Sequence, residues 1–241
     1  MRINLRIHKS DSGRRRNRAG GEMVHGVPQE QIDKLRGTRD HANAFSTTWE
    51  DVKKDYEQVG INISDQYAQE VEQIINRFTM SDYLFMRNAV LKERAGEQLT
   101  SQDMQWISKY KKCEEYTKIA PTYAGSEKEI YRGVYVSEYV LDSQKYLDNL
   151  QSLKVGDKWN ADKMPTSFTT DLTRAKDFAN MGKQGTIIHI ASGNLKNSPS
   201  IRGLSSFSSE MEVLVGDYNF TVVNVIPAKK SKDKLHHVYV K

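Results

Sequence analysis

Residues 210–226, EMEVLVGDYNFTVVNVI, decide how this chain folds. Two runs of β-branched and aromatic residues, Met211 to Val215 and Phe220 to Ile226, flank a turn-forming interval, which is the pattern of successive strands. Outward from there, the same composition holds after Pro121. Ile130 to Val136, Pro165 to Thr170, Thr186 to Ala191 and His236 to Val240 are strand-length segments, with helical intervals only at about Ser143 to Leu150 and Leu172 to Met181. Before it, from Pro28 to about Lys118, the apolar period is helical. Ser64-Asp65 is a good amino-terminal cap for Tyr67, Val71, Ile74, Ile75 and Phe78. A second helix opens at Ser81 and is broken by Ala95-Gly96; a third starts at Thr100 or Ser101 and presents Met104, Ile107 and Tyr110. Helices first and strands after them specify an α+β fold, an amino-terminal helical layer followed by a mixed sheet or a two-sheet sandwich, and not a doubly wound one.

The 241 residues, 37% hydrophobic and 28% charged, are enough for one large domain or two small ones with an apolar core. The single Cys113 excludes an internal disulfide and a zinc ribbon, suits a reducing cytoplasm, and reads as a small buried apolar residue. The apolar runs are strand-sized, short of the roughly 20 residues that span a bilayer, so no membrane span is expected. The net charge of +5 is not spread evenly: residues 1–20 carry +6 and the remainder −1. That division makes 1–27 a basic, solvated arm and 28–241 a single domain, with a helical part over 28–125 and a mainly β part over 126–241. The arm is open to three readings: plain disorder, contact with a polyanion, or a targeting or packaging signal. It lacks the apolar stretch of about 7 to 15 residues of a secretory signal, so delivery into a target or host cell would use another route.

No GxGxxG follows a strand and there is no Walker loop, so a nucleotide would not be held by a glycine-rich cradle. His236-His237, among Lys229, Lys230, Lys232 and Lys234, reads as a solvated edge and not a metal site. Asp51 and Asp55 read as the polar face of a helix. Three short segments remain: Tyr131-Arg132-Gly133, Ser167-Phe168-Thr169 and Glu210-Met211-Glu212. The last is the least ordinary. Residues two apart in a strand share a face, and two carboxylates there raise each other's cost of ionisation beside an apolar run.

In this order the segments resemble the Arg-Ser-Glu class of mono-ADP-ribosyltransferases, which includes clostridial actin-modifying exotoxins and phage-encoded transferases. Residues 75–92, INRFTMSDYLFMRNAVLK, are similar to the exotoxin helix pattern Ile-x-x-Tyr-Thr-x-x-x-Tyr-x-x-Ile-Asn-x-x-Leu-Arg, matched by Ile75, Phe78, Thr79, Tyr83 and Met86. Arg87 stands in the place of the pattern's Asn, and Asn88 comes one later. The resemblance covers about Gln66 to Val225.

It implies an ADP-ribosyltransferase-like fold, a helical layer followed by two packed sheets with an NAD cleft between them. NAD would be the substrate, no metal would be needed, and ADP-ribose would pass to a protein side chain with release of nicotinamide. Arg132 would clamp the pyrophosphate through its planar fork, and Gly133 would let backbone groups approach the nicotinamide amide. Tyr83 and Asn88 would lie on the adenine side. Glu212 would bond the ribose 2′-hydroxyl and stabilise an oxocarbenium-like transition state; Ser167 would orient it and Thr169 would support the same strand. Phe178 either faces nicotinamide or is a core position of its helix. Glu210, where relatives that modify arginine carry Glu, would make the partner a target protein with an acceptor arginine. Phe207, on the Ser-rich loop 201–209, either presents to that target or folds back into the core. Two other readings stay open: a non-catalytic, virion-associated binding protein with a transferase-like fold, and an NAD glycohydrolase.

Overall fold

The structure, a computed structural model, describes residues 22–241 except Lys183 and Tyr218; the basic stretch 1–20 lies outside the described residues. The helical half begins with α1 (Gln29–Leu35), α2 (His41–Ala44) and α3 (Trp49–Gln58). Ser64 Oγ accepts from Tyr67 N at 3.1 Å and so starts α4 (Asp65–Arg77) where the sequence places it. A π-type turn, Phe78–Asp82, follows, and Met80 leaves helical geometry within it (φ −92°, ψ −112°). This break separates α4 from α5 (Tyr83–Ala95), which ends at Gly96 in the left-handed region (φ 72°). Thr100 and Asp103 form a reciprocal capping box that opens α6 (Ser101–Ile119). Inward faces of these helices, among them Val71, Ile75, Met86, Ile107 and Cys113, form one core with Met164, Ile201 and Leu214 of the β half. Each such side chain contributes about 1.5–3 kcal/mol by leaving water.

Two short pairings tie the periphery, β1 (Met23–Val24) with β2 (Val27–Pro28) and β3 (Thr38–Arg39) with β4 (Thr122–Tyr123). The first pairing joins Met23 and Val24 of the segment assigned to the arm to Val27 and Pro28 at its boundary. Its tip is anchored by His25 Nε2 and Glu115 Oε1 at 2.9 Å, so folded structure reaches further toward the amino terminus than the boundary at 27/28. The remaining strands are β5 (Glu129–Val134), β6 (Lys158–Trp159), β7 (Thr166–Thr169), β8 (Thr186–Ala191), β9 (Glu212–Val215), β10 (Phe220–Ile226) and β11 (His236–Val240), with α7 (Ser143–Ser152) and α8 (Leu172–Ala179) between them.

These seven strands form one curled, mixed sheet in the order β6-β10-β11-β8-β5-β7-β9, with β8 and β11 parallel. The two expected sheets are two parts of it. Strand β5 pairs β8 over six residues, but among the described residues it pairs β7 only through Tyr131 and Thr169. The two parts share one core, in which Phe168, Val213 and Val215 of one pack with Ile130, Ile188 and Val238 of the other. Among the described residues no helix is long and apolar enough to cross a membrane.

Two expectations about polar residues are corrected. Strand β11 lies between β10 and β8, not at an edge, so His236 and His237 are buried. His237 Nδ1 meets His189 Nε2 at 2.9 Å and its Nε2 meets Asp233 Oδ1 at 2.9 Å. Asp51 belongs to a capping box with Thr48, but Asp55 is buried, held by Arg39 Nη2 at 2.5 Å and by the Tyr116 hydroxyl at 3.0 Å. A buried carboxylate needs such partners because desolvation alone opposes its charge.

Candidate active site

Where β5 and β7 part, a cavity of about 410 Å³ opens between α5, α8 and the loop 201–209. Past the Tyr131–Thr169 rung the main chains no longer bond each other, and a side chain bridges the gap: Arg132 Nη1 donates to Ser167 O at 2.7 Å. Arg132 Nε is buried with no hydrogen-bond partner among the described residues. A planar guanidinium with an unspent donor beside an open cavity is suited to a phosphate oxygen. Tyr83 lines the same wall at the start of α5; burial pushes its hydroxyl pKa up, against the pull of Arg132 and Arg87.

Asn88 is not in the cavity. Its Nδ2 donates to Tyr139 O at 3.4 Å and its Oδ1 accepts from Leu141 N at 3.2 Å, which ties down the stretch before α7. Arg87 lines the cavity instead, with its guanidinium carbon 5.2 Å from the centre of the Tyr146 ring. One residue along a helix turns the side chain by about 100°, so 87 and 88 cannot both face inward.

Glu212 opens β9 opposite Thr169 and is 6% exposed. Burial raises its pKa to about 7; Ser205, Ser167 and Arg132 favour its charged form, and Glu210 disfavours it. The hydrogen bond comes from Ser205, whose Oγ donates to Glu212 Oε2. Ser167 Oγ, assigned that role from sequence, is near enough to favour ionisation but is buried without a partner in hydrogen-bonding geometry.

Glu210 and Glu212 both line the cavity, but not by strand alternation. Glu210 ends a 3₁₀ turn, Ser208–Glu210, and Met211 is left-handed (φ 51°), so the strand begins only at Glu212. Thr169 Oγ1 fixes this corner by donating to Glu210 O at 2.5 Å and accepting from Asp171 N at 3.0 Å. Burial raises the Glu210 pKa, and Arg174 of α8 works against that rise. The loop before it is not loose. Ser206 N donates to Thr79 Oγ1 at 3.0 Å, Ser206 Oγ to Asn76 Oδ1 at 2.9 Å, and Asn76 Nδ2 to Leu204 O at 3.1 Å. Phe207 does not fold back: it stands at the rim, 46% exposed, with Phe178 of α8, 37% exposed, also lining the opening.

Gly133 borders the cavity, but its lack of a side chain serves the scaffold. A Cβ there would stand 2.0 Å from Ala175 O and 2.7 Å from Ala179 N, so glycine is what lets α8 lie directly on β5. Arg132, Gly133, Ser167, Thr169, Phe178, Tyr83, Phe207, Glu210 and Glu212 therefore meet at one cavity, with Arg87 added and Asn88 outside it, while the buried Ser205 reaches Glu212 without lining the cavity itself.

No protein-family model matches this chain, and no curated protein matches it in sequence. Solved structures do match in three dimensions. The ADP-ribosyltransferase Vis, a toxin from Vibrio splendidus, in complex with agmatine, aligns at 19% identity over 87% of this chain and 88% of that one, with a TM-score of 0.52. The ADP-ribosyltransferase HopU1 of Pseudomonas syringae pv. tomato aligns at 15% identity over 91% and 98%, with a TM-score of 0.50. The chain has the ADP-ribosyltransferase fold.

Proposed function

We propose that this protein transfers ADP-ribose from NAD to the side chain of a target protein, arginine in the first place, and releases nicotinamide. The observation that carries the reading is that Arg132 and Glu212, distant in sequence, line one cavity and act on each other electrostatically. The cavity has two guanidinium groups, Arg132 and Arg87, and two carboxyl groups, Glu210 and Glu212. That polarity suits NAD, which has an anionic pyrophosphate and a cationic nicotinamide ring.

In this reading Arg132 holds the pyrophosphate with its free N–H groups. Glu212 faces the nicotinamide ribose. As the bond from the ribose anomeric carbon to the nicotinamide nitrogen breaks, its electron pair leaves with neutral nicotinamide and positive charge spreads over the ribose ring. A carboxylate already in place in a water-poor site stabilises that charge without reorganising. With a pKa of about 7, Glu212 is about half ionised at neutral pH. An acceptor guanidine nitrogen then bonds the anomeric carbon and gives its proton to Glu210, whose burial makes it a better base. Support for a guanidino acceptor comes from Vis, bound to agmatine, itself a guanidino compound. Phe207, exposed at the rim, would meet the target protein. The one cysteine is buried and needs no oxidant, which suits work in a reducing cytoplasm.

The test is NAD labelled in its adenylate part, incubated with this protein and cell lysate, beside Glu212→Gln. Label on protein that depends on Glu212 and is lost with hydroxylamine supports transfer to arginine. Free ADP-ribose with no labelled acceptor makes the protein an NAD glycohydrolase. Intact NAD throughout makes it a binding protein with a transferase-like fold.

A further inference from the structure

Ser205 is fixed from both sides. Its main-chain N donates to Ile201 O at 2.8 Å, closing one tight turn. The residue before it is held by Asn76 Nδ2 on Leu204 O, and the residue after it by Thr79 Oγ1 and Asn76 Oδ1 on Ser206. Behind the turn, Gly203 is seated so closely on residues 44–47 that an added Cβ would stand 2.3 Å from Ala44 O. The Ser205 hydroxyl accepts from Phe207 N at 3.0 Å and donates to Glu212 Oε2. A backbone N–H can only donate, so the hydroxyl proton stays available to the carboxylate when Glu212 is ionised. Ser167, the nearby serine with the expected role, has no partner in bonding geometry.

We propose that Ser205 is the positioning residue for Glu212: it holds the carboxylate toward the cavity and joins it, through one hydroxyl, to the main chain of the rim residue Phe207. The assignment rests on the reading of Glu212 as the carboxylate that faces the ribose. The charged groups that face Glu212 are Glu210, from the turn before its strand, and Arg132, from β5; Tyr83 and Arg87 of α5 line the same cavity, while Asn76 and Thr79 reach the loop as neutral groups. Ser205 is thus a neutral donor set among charges, and its removal takes away support for the ionised form without changing the site's formal charge.

The test uses the full chain and has two readouts. First, the ionisation of Glu212 is followed in the ligand-free protein by carboxyl infrared difference spectra against Glu212→Gln. Ser205→Ala should move the midpoint upward by about one pH unit, the effect of losing a hydrogen bond to a charged acceptor. Ser167→Ala should move it less, and Ser205→Thr, which keeps the hydroxyl, should return it to the wild-type value. Second, with NAD, Ser205→Ala should lower kcat for nicotinamide release about fivefold near pH 7, recover most of it near pH 9, and leave KM for NAD unchanged. An unmoved midpoint in Ser205→Ala, a shift as large in Ser167→Ala, or a Thr variant that titrates like the Ala variant overturns the proposal. If wild-type protein turns over no NAD, the functional reading falls, while the ligand-free titration still decides the Ser205 contact.

Discussion

Arg132 Nη1 donates to the carbonyl oxygen of Ser167 at 2.7 Å, across two strands whose main chains have stopped pairing one residue earlier. The side chain replaces a ladder bond with a charge-assisted one and, in doing so, sets its guanidinium at the cavity wall. A residue that fastens the sheet and offers donors to a ligand needs the fork of arginine for both.

Arg132→Lys keeps the charge and loses the fork. The expected result is a KM for NAD raised about tenfold or more, with kcat less affected, read from initial rates of nicotinamide release. An unchanged KM would take the pyrophosphate away from Arg132.

Glu212→Gln should remove NAD hydrolysis and transfer together, by about 100-fold or more, because the charge opposite the developing cation is gone while the shape remains. The same change should stabilise the fold at alkaline pH. A carboxyl whose folded pKa is about 7 binds its proton more tightly folded than unfolded, where 4.5 is the ordinary value. Wild-type stability therefore declines as pH rises from about 4.5 to about 7 and stays lower above that, by about 3 kcal/mol. The glutamine variant has no such decline. Urea unfolding at pH 5 and pH 8 should find the two proteins close at the first and the variant more stable at the second; equal stability at pH 8 would contradict the buried, raised carboxyl.

Glu210→Gln should separate the two half-reactions. Transfer to agmatine or to protein arginine is expected to fall by about 100-fold, since the acceptor loses its base, while release of nicotinamide to water persists. Matched loss of both activities would show that Glu210 serves the first step.

Gly133→Ala tests the scaffold and not the chemistry. Its Cβ would meet the main chain of α8 at 2.0 Å, where no flexible side chain can yield. A loss of about 3 kcal/mol in denaturant unfolding is expected, with a matching fall in the amount of folded protein. Unaltered stability would mean that α8 slides freely over β5.

Local features were legible in the sequence because local forces decide them. Ser64 and Thr100 read as caps and act as caps, and the strands at 186–191, 220–226 and 236–240 end where their apolar runs end. The two halves of the charge constellation were legible as residue types in a given order. What was not legible depends on chain segments far apart in sequence. His237 is buried only because β11 inserts between β10 and β8, and Asp55 only because Arg39 and Tyr116 arrive from other elements. Strand alternation misread Glu210, since a left-handed Met211 lies between the two acids. Ser205 was hidden among several serines of one loop, and nothing but the fold distinguishes it from its neighbours.

The meeting of Tyr131 and Thr169 sets how the opening behaves. A gap cut between two strands of one fabric has its walls sewn together at one end. The cationic and acidic ends of the opening, Arg132 and Glu212, are thus carried by strands of a single fabric and not by separate bodies.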